Sequence, residues 1–321
     1  MTSNSEVQPD PRFKVKIGEV ELENPLILAS GVLGVAAGGL IRAWKDGAGA
    51  VVSKTVGMKP RVGHPGPRIV GIHGNSLMNA MGIPNPGIDD YLPEIKLAID
   101  TGVPIIGSAL GNDPSEFAQV TAKLVKAGVI AVELNVSCPH LGSLYLLGMD
   151  PDRVAEVVEK SRNNINDKVP IWVKLPGSTD YPRLVEVAKS AERAGVSGLV
   201  VMNTLPALAL DTETRRPLLG AGIGGLSGPA IKPIAVRAVW ELHRAGLKIP
   251  IIGVGGILTG NDVIEFFLAG AAAVEIGTAV LTRESLIFTT ILQELSEYLT
   301  RHEINHISEL SGQMQASGVT P

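Results

Sequence analysis

The sequence predicts an α/β protein folded as a closed (β/α)8 barrel, the TIM-barrel arrangement, and three observations carry that reading. Short apolar runs rich in β-branched residues recur eight times, with amphipathic stretches between them. Apolar residues make up 45 % of the 321 residues but aromatic ones only 4 %, so the core is expected to be aliphatic, as parallel strands buried under helices require. About 300 residues suit eight β-α units in one barrel, whereas open doubly wound sheets more often carry roughly five to seven strands. The chain 1–321 is therefore expected as a single domain, with 1–12 and 316–321 frayed.

Before the first barrel strand, Phe13–Leu22 alternates apolar and polar residues around Gly18-Glu19. This predicts an N-terminal β-hairpin that plugs the barrel's N-terminal end. Barrel strands are expected at Pro25–Ser30, Ala50–Thr55, Pro104–Leu110, Ala131–Ser137, Pro170–Leu175, Gly198–Asn203, Pro250–Val254 and Ala272–Gly277. Helical patterns follow them, among others Glu116–Ala127, Pro151–Asn164, Leu184–Ala194, Ile234–Ala245 and Leu286–Arg301. Several end in Ala-Gly, the expected left-handed cap. Two connections, Val56–Asp89 and Thr204–Gly228, are too long for plain turns. Both follow a strand's carboxyl end, so long loops are inserted at the C-terminal face, where barrels build active sites.

Composition narrows the function. The 28 basic and 32 acidic residues are scattered and sum to −4, which gives no nucleic-acid footprint. A single cysteine excludes a disulfide framework and any multi-cysteine zinc or iron–sulfur site built from this chain alone. No run reaches the roughly 18 apolar residues that span a bilayer, and Met1–Arg12 lacks an apolar signal core. A cytoplasmic protein with a small-molecule ligand, no nucleic acid and no membrane is expected.

The strand ends are unusually polar: Ala29-Ser30-Gly31, Ser53-Lys54-Thr55, Gly107-Ser108, Asn135-Val136-Ser137-Cys138-Pro139, Lys174, and Asn203-Thr204. A lysine at a strand end is more often a snorkelling surface residue. Lys54 and Lys174, however, sit among Val, Ile and Trp, and a buried ammonium needs a partner. Both are expected to meet an anionic ligand. The last two strands end Gly253-Val254-Gly255-Gly256 and Gly277-Thr278, where backbone N–H groups can approach an anion. The alternative is a pair of tight turns; two such turns favour phosphate, on a cofactor or a sugar. A lone Cys is usually a small buried hydrophobe. Cys138, three residues after Asn135 at a strand end, is instead placed to act as nucleophile or base.

Two motifs are set aside. His302-Glu303-Ile304-Asn305-His306 fits the H-E-x-x-H zinc pattern but falls in the terminal helix, far from every strand end. Gly220–Gly225 fits G-x-G-x-x-G, yet no clear strand leads into it; it reads as a mobile loop ending at Ser227-Gly228.

Six ordered motifs resemble one family: Asn79-Ala80-Met81-Gly82-Ile83-Pro84-Asn85-Pro86-Gly87, Asn135-Val136-Ser137-Cys138-Pro139, Val173-Lys174-Leu175, Met202-Asn203-Thr204, Gly224-Gly225-Leu226-Ser227-Gly228 and Gly255-Gly256-Ile257. From about Val15 to Leu299 the chain resembles the soluble, class 1, FMN-containing dihydroorotate dehydrogenases of pyrimidine synthesis, most of all the NAD-linked class 1B catalytic subunits.

The resemblance implies oxidation of (S)-dihydroorotate to orotate on FMN. The phosphate would rest on Gly255, Gly256, Gly277 and Thr278, with Ser227 and Gly228 along the flavin's approach. Ala29, Ser30, Gly31, Lys54, Thr55, Asn135 and Val201 would border the rest of the cofactor, and Lys174 would face its pyrimidine edge. Lys54 would meet the substrate carboxylate, helped by the N–H groups of Met81, Gly82 and Ile83; Asn79, Asn135, Asn203 and Thr204 would bind the ring. Cys138 would take the C5 proton as C6 gives hydride to flavin N5, so the rate should rise with pH. After it stands His140-Leu141-Gly142-Ser143, where many relatives carry Asn and a Gly-Gly pair, so the lid is expected to differ.

Cys-Pro-His also resembles the dihydropyrimidine dehydrogenases, which reduce uracil and thymine. In those a Glu follows the substrate Asn, whereas Met81-Gly82 here suits a carboxylate held by backbone N–H groups. A flavin-free isomerase or lyase of a phosphorylated small molecule is a third reading. The electron acceptor stays open between fumarate and NAD reached through a separate FAD/[2Fe–2S] subunit, the branch the motifs resemble most. Relatives imply a homodimer.

Overall fold

The computed structural model describes residues 10–137, 147–165, 169–283 and 286–315. Asp10 caps a 3-10 turn at Pro11–Phe13, and Arg12 donates to Asp10, Ser296 and Thr300. The fraying expected through Arg12 therefore does not reach Asp10–Arg12: the two pair with each other, and Arg12 hydrogen bonds to Ser296 and Thr300 tie them to the terminal helix. Strands β1 (Val15–Ile17) and β2 (Val20–Leu22) form the expected hairpin, burying alternate residues. Its turn glycine, Gly18, packs against Ser197, the residue before a barrel strand, so the hairpin covers the N-terminal end.

Eight parallel strands close the barrel: β3 (Leu26–Leu28), β4 (Ala50–Val52), β7 (Ile105–Ala109), β8 (Ala131–Asn135), β9 (Ile171–Lys174), β10 (Gly198–Val201), β15 (Ile251–Val254) and β16 (Ala273–Ile276), with β16 pairing back to β3. Each falls within an expected strand but is shorter. Some of the polar ends, Ser53-Lys54-Thr55 and Asn203-Thr204, lie beyond the strands, whereas Ser108, Asn135 and Lys174 lie within them. Helices lie between them, and sequence fixes their limits. Asp113 caps the helix Pro114–Ala127 by accepting from the N–H groups of Ser115 and Glu116, and Gly128, at φ 96°, ends it. Gly195 and Gly270 end Tyr181–Ala194 and Gly260–Ala269 the same way. Barrel strands are buried along their length, Val254 at the end of β15 alone being half-buried, as β-branched runs without alternation require.

The long connections do follow strand ends, but they hold structure that the sequence reading lacks. The first contributes β5 (Ile69–Gly71) and β6 (Leu77–Asn79). The second contributes β11 (Leu205–Ala207), β12 (Leu210–Asp211), β13 (Arg216–Pro217) and β14 (Gly224–Ser227). They join as an antiparallel sheet ordered β11-β14-β6-β5. Gly224–Gly225 is thus no mobile loop: it pairs with Asn79 on one side and with Pro206 and Ala207 on the other. Its strand was hidden because one partner, β6, lies in the other connection and the second, β11, is separated from it by the β12-β13 hairpin. The H-E-x-x-H segment is corrected too. The terminal helix ends at Arg301, Glu303 has φ 56°, and His306 caps a separate 3-10 turn, so the two histidines do not share a helix.

Candidate active site

The barrel's C-terminal end and the four-stranded sheet above it enclose one cleft. Hydroxyl and amide groups from successive strands form its wall. Ser30 Oγ donates to Ser53 O at 2.8 Å and lies 3.0 Å from Thr55 Oγ1, which is 2.9 Å from Ser108 Oγ. Asn135 Nδ2 donates to Thr55 Oγ1 at 3.1 Å, and Asn135 Oδ1 accepts from Ser137 Oγ at 2.9 Å. Asn203 Nδ2 donates to that same Ser137 Oγ at 2.9 Å, while Asn203 Oδ1 accepts from Thr204 N. Every carboxamide is thereby oriented by a neighbour, which is how amides become selective for a ligand's donors and acceptors. Asn79 reaches the cleft from β6, donating to Gly225 O at 3.3 Å. A Cβ at Gly225 would come within 2.0 Å of Thr204 Oγ1, so only glycine lets that hydroxyl stand there.

Lys54 is set by its backbone. Its N–H reaches Gly34 O at 3.2 Å and Tyr91 Oη at 3.0 Å, and the Tyr91 hydroxyl itself donates to Gly34 O. Burial pushes the Tyr91 hydroxyl up to about 12, so it stays a neutral donor.

At the opposite side, Ser227, Gly228, Gly255, Gly256, Gly277 and Thr278 converge. Gly256 has φ 76°, and a Cβ there would fall 2.7 Å from Lys232 Cβ and 2.8 Å from Gly228 O. Thr278 Oγ1 donates to Ser227 Oγ at 3.0 Å. The N–H groups of Gly256, Gly277 and Thr278 meet no acceptor among the described residues. Unpartnered donors in a cradle where Gly228, Gly255 and Gly256 leave no room for a Cβ fit one phosphate group.

Lys174 lies between these two regions. Its Nζ is 2.7 Å from Glu275 Oε2 and 3.7 Å from Glu133 Oε2, all three nearly inaccessible to solvent. The expectation that this ammonium needs an anion is met inside the protein, by carboxylates the sequence reading passed over. Burial chiefly, then the charge of Glu275, pushes the Glu133 carboxyl well above the usual range, against the pull of Lys174. Burial opposes the charge on Lys174, but the two carboxyls outweigh it and raise its pKa.

Ala29, Ser30, Gly31, Lys54, Thr55, Asn79, Met81, Ile83, Asn135, Lys174, Asn203, Thr204 and the phosphate-cradle residues all line the cleft. Two expected residues do not. Val201 is fully buried in the barrel wall beside Gly253, and its neighbour Met202 faces the cleft in its place. Gly82 turns away at φ 70° with its Cα packed on His64, a bend that sets Met81 and Ile83 on the lining. Cys138 and the segment His140–Ser143 lie outside the described residues. Glu275 lines the cleft as well. A carboxylate between Val274 and Ile276 was its signal, the same one that marked Lys174.

A barrel whose mouth joins a phosphate cradle to a wall of oriented amides defines an enzyme that works on a small polar substrate with a phosphate-bearing cofactor. Residues 12–299 match the family described as dihydroorotate dehydrogenase. Curated relatives named dihydroorotate dehydrogenase B (NAD(+)), catalytic subunit, include those of Methanocaldococcus jannaschii, 42 % identical over 94 % of this chain and 97 % of that one, and Pyrococcus furiosus, 44 % identical over 94 % and 99 %. A crystal structure of the Eimeria tenella dihydroorotate dehydrogenase in complex with ferulenol superposes with a TM-score of 0.84 at 21 % identity, covering 97 % of this chain and 91 % of that one, and shares the fold. The chain belongs to the dihydroorotate dehydrogenase family: it is an oxidoreductase of pyrimidine biosynthesis that oxidises dihydroorotate and takes FMN as cofactor.

Proposed function

We propose that this chain is the catalytic subunit of an NAD-linked, class 1B dihydroorotate dehydrogenase and works as a single FMN-binding barrel domain. The observation that carries the assignment of parts is the convergence, in one cleft, of Lys54 and the carboxamides of Asn79, Asn135 and Asn203 with the glycine cradle. The FMN phosphate rests on Gly255, Gly256, Gly277 and Thr278, beside Ser227 and Gly228. Ala29, Ser30, Gly31, Thr55 and Asn135 border the ring, and Val201 acts from the wall behind Met202. When bound, FMN supplies the hydride acceptor for the substrate.

The protein's own groups do the rest. Lys54 and the backbone N–H groups around Met81, Gly82 and Ile83 hold the substrate carboxylate. Asn79, Asn135, Asn203 and Thr204 hold the ring amides in the one orientation their own hydrogen bonds permit. Lys174 places a positive charge against the cofactor's pyrimidine edge. Cys138, as thiolate, takes the C5 proton. Supporting this, its neighbour Ser137 is pinned between Asn135 and Asn203 in the cleft wall.

With one cysteine, this chain cannot hold an iron–sulfur cluster. Electrons therefore leave through a separate subunit carrying FAD and a [2Fe–2S] cluster, as the naming of the relatives as catalytic subunits of an NAD(+) enzyme supports. The complex is placed in the cytoplasm as a homodimer of catalytic subunits. No helix among the described residues is long and apolar enough to cross a membrane.

The test is anaerobic titration of the purified, FMN-loaded protein. Dihydroorotate should bleach the flavin and dihydrouracil should not; bleaching by dihydrouracil, or a protein that stays colourless with FMN, overturns the reading. NAD reduction that needs a co-purifying FAD and iron–sulfur subunit supports the class 1B assignment, and NAD reduction by the isolated chain refutes it.

A further inference from the structure

The charges buried in the barrel do not balance if every group is ionised. One ammonium, Lys174, faces two carboxyl groups, Glu275 at 2.7 Å and Glu133 at 3.7 Å. Among the described residues no other charged group acts on Glu133 or on Lys174. The groups beside Glu133 on the neighbouring strands are Ser108 on β7, whose hydroxyl donates to Glu133 Oε1 at 3.4 Å, and Trp172 on β9. Beside Glu275 stand Val254 on β15 and Ile27 on β3. Neither can neutralise a second carboxylate.

An unpaired carboxylate in a dry interior costs several kcal/mol, far more than holding a proton there. Both carboxyl groups converge on the one ammonium, at 2.7 and 3.7 Å from its Nζ. Glu133 Oε2 and Glu275 Oε1 each lack any donor from another group among the described residues. A proton placed between them would satisfy both.

We propose that Glu133 and Glu275 hold one proton between them beneath the cleft, so that either can serve as the sole counterion of Lys174, and that together they are positioning residues for the charge Lys174 presents to the cofactor. The path Glu133–Ser108–Thr55–Ser30 of neighbouring oxygens, each step 3.4 Å or less, connects this pair to the cleft and lets the proton equilibrate without opening the barrel. Two carboxyl groups sharing a proton titrate as a unit. Each single amide substitution therefore leaves one ionised carboxylate opposite Lys174, while the double substitution leaves none.

The first test needs no cofactor. Infrared spectra of the cofactor-free protein at neutral pH should show the deuterium-sensitive carbonyl band of a protonated carboxylic acid. That band should vanish in Glu133→Gln. It should vanish also in Glu275→Gln, because Glu133 then stands alone against Lys174 and ionises. No band in the wild type, or a band that survives in either single variant, overturns the proposal.

The second test rests on the FMN reading above and measures the midpoint potential of the bound flavin. Each single variant should stay close to the wild type. The double variant, with an uncompensated ammonium, should shift the potential upward by more than the two single shifts combined; an additive result overturns the proposal. If FMN fails to bind, the cofactor reading falls while the infrared test still decides the shared proton.

Discussion

Lys174 and Glu275 are 101 residues apart in the chain, yet their charged atoms lie 2.7 Å apart inside the barrel. Circular closure makes this possible: β9 and β16 are separated by only β10 and β15 around the ring. Both residues line the cleft, so removal of the pair should be felt in both stability and binding.

Lys174→Met should destabilise the protein by about 3–5 kcal/mol, because it strands a buried carboxylate. Urea unfolding at neutral pH measures this. Unchanged stability in the variant would show that the ammonium is not the carboxyls' counterion.

The raised pKa of Glu133 sets a pH dependence. Above its ordinary value of 4.5 the unfolded chain releases this proton while the folded protein keeps it. The unfolded state then binds fewer protons, so stability falls with rising pH. The contribution is complete below 4.5 and disappears as pH rises through the folded value. Glu133→Gln should abolish the decline, read from unfolding midpoints across the acidic to neutral range. Lys174 acts at the alkaline end: its contribution is complete below 10.5 and is lost as pH rises past its raised folded value.

Asn203→Ala removes both the donor to Ser137 and the acceptor for Thr204 N. Unsatisfied groups of this kind cost about 1–3 kcal/mol each, or roughly tenfold to a hundredfold in kcat/KM for dihydroorotate. Steady-state kinetics should show that loss with flavin content unchanged.

Gly256→Ala should lower the flavin-to-protein ratio after purification. The residue has a positive φ and no space for a methyl group beside Lys232, which is itself fixed by Asp262 and Glu265 at 2.7 Å each. Strain of about 1–3 kcal/mol is expected. A full flavin complement in Gly256→Ala would remove this glycine from the cradle.

Cys138→Ala should slow flavin reduction by dihydroorotate at neutral pH by roughly 10²–10⁴ while FMN stays bound. Stopped-flow absorbance reads the step, and an unchanged rate would take the cysteine out of the chemistry. Lys54→Ala should chiefly weaken orotate inhibition.

Much of the architecture was legible because it is written in local pattern. Eight β-branched runs and the Ala-Gly helix ends each encode their own element, so the barrel strands lie where they were expected. Polar residues at strand ends marked most of the cleft by the same logic. Strand β14 was not legible, because a stretch of Gly224-Gly225-Leu226-Ser227 has no strand signal until Asn79 and Pro206 lie beside it. Nor was the turning away of Gly82 and Val201, which depends on backbone direction and not on residue type.

Periodicity and strand-end chemistry, which depend only on neighbours in the chain, determined the barrel, the mouth as the site and the residues that crowd it. Which charges pair could be decided only when the barrel closed. A buried ion is governed by the groups within a few ångströms and by the water excluded around them, and neither is set by distance along the sequence. For this reason Lys174 could be read as a cation in need of an anion from its strand alone, while Glu133 and Glu275 became its partners only in three dimensions.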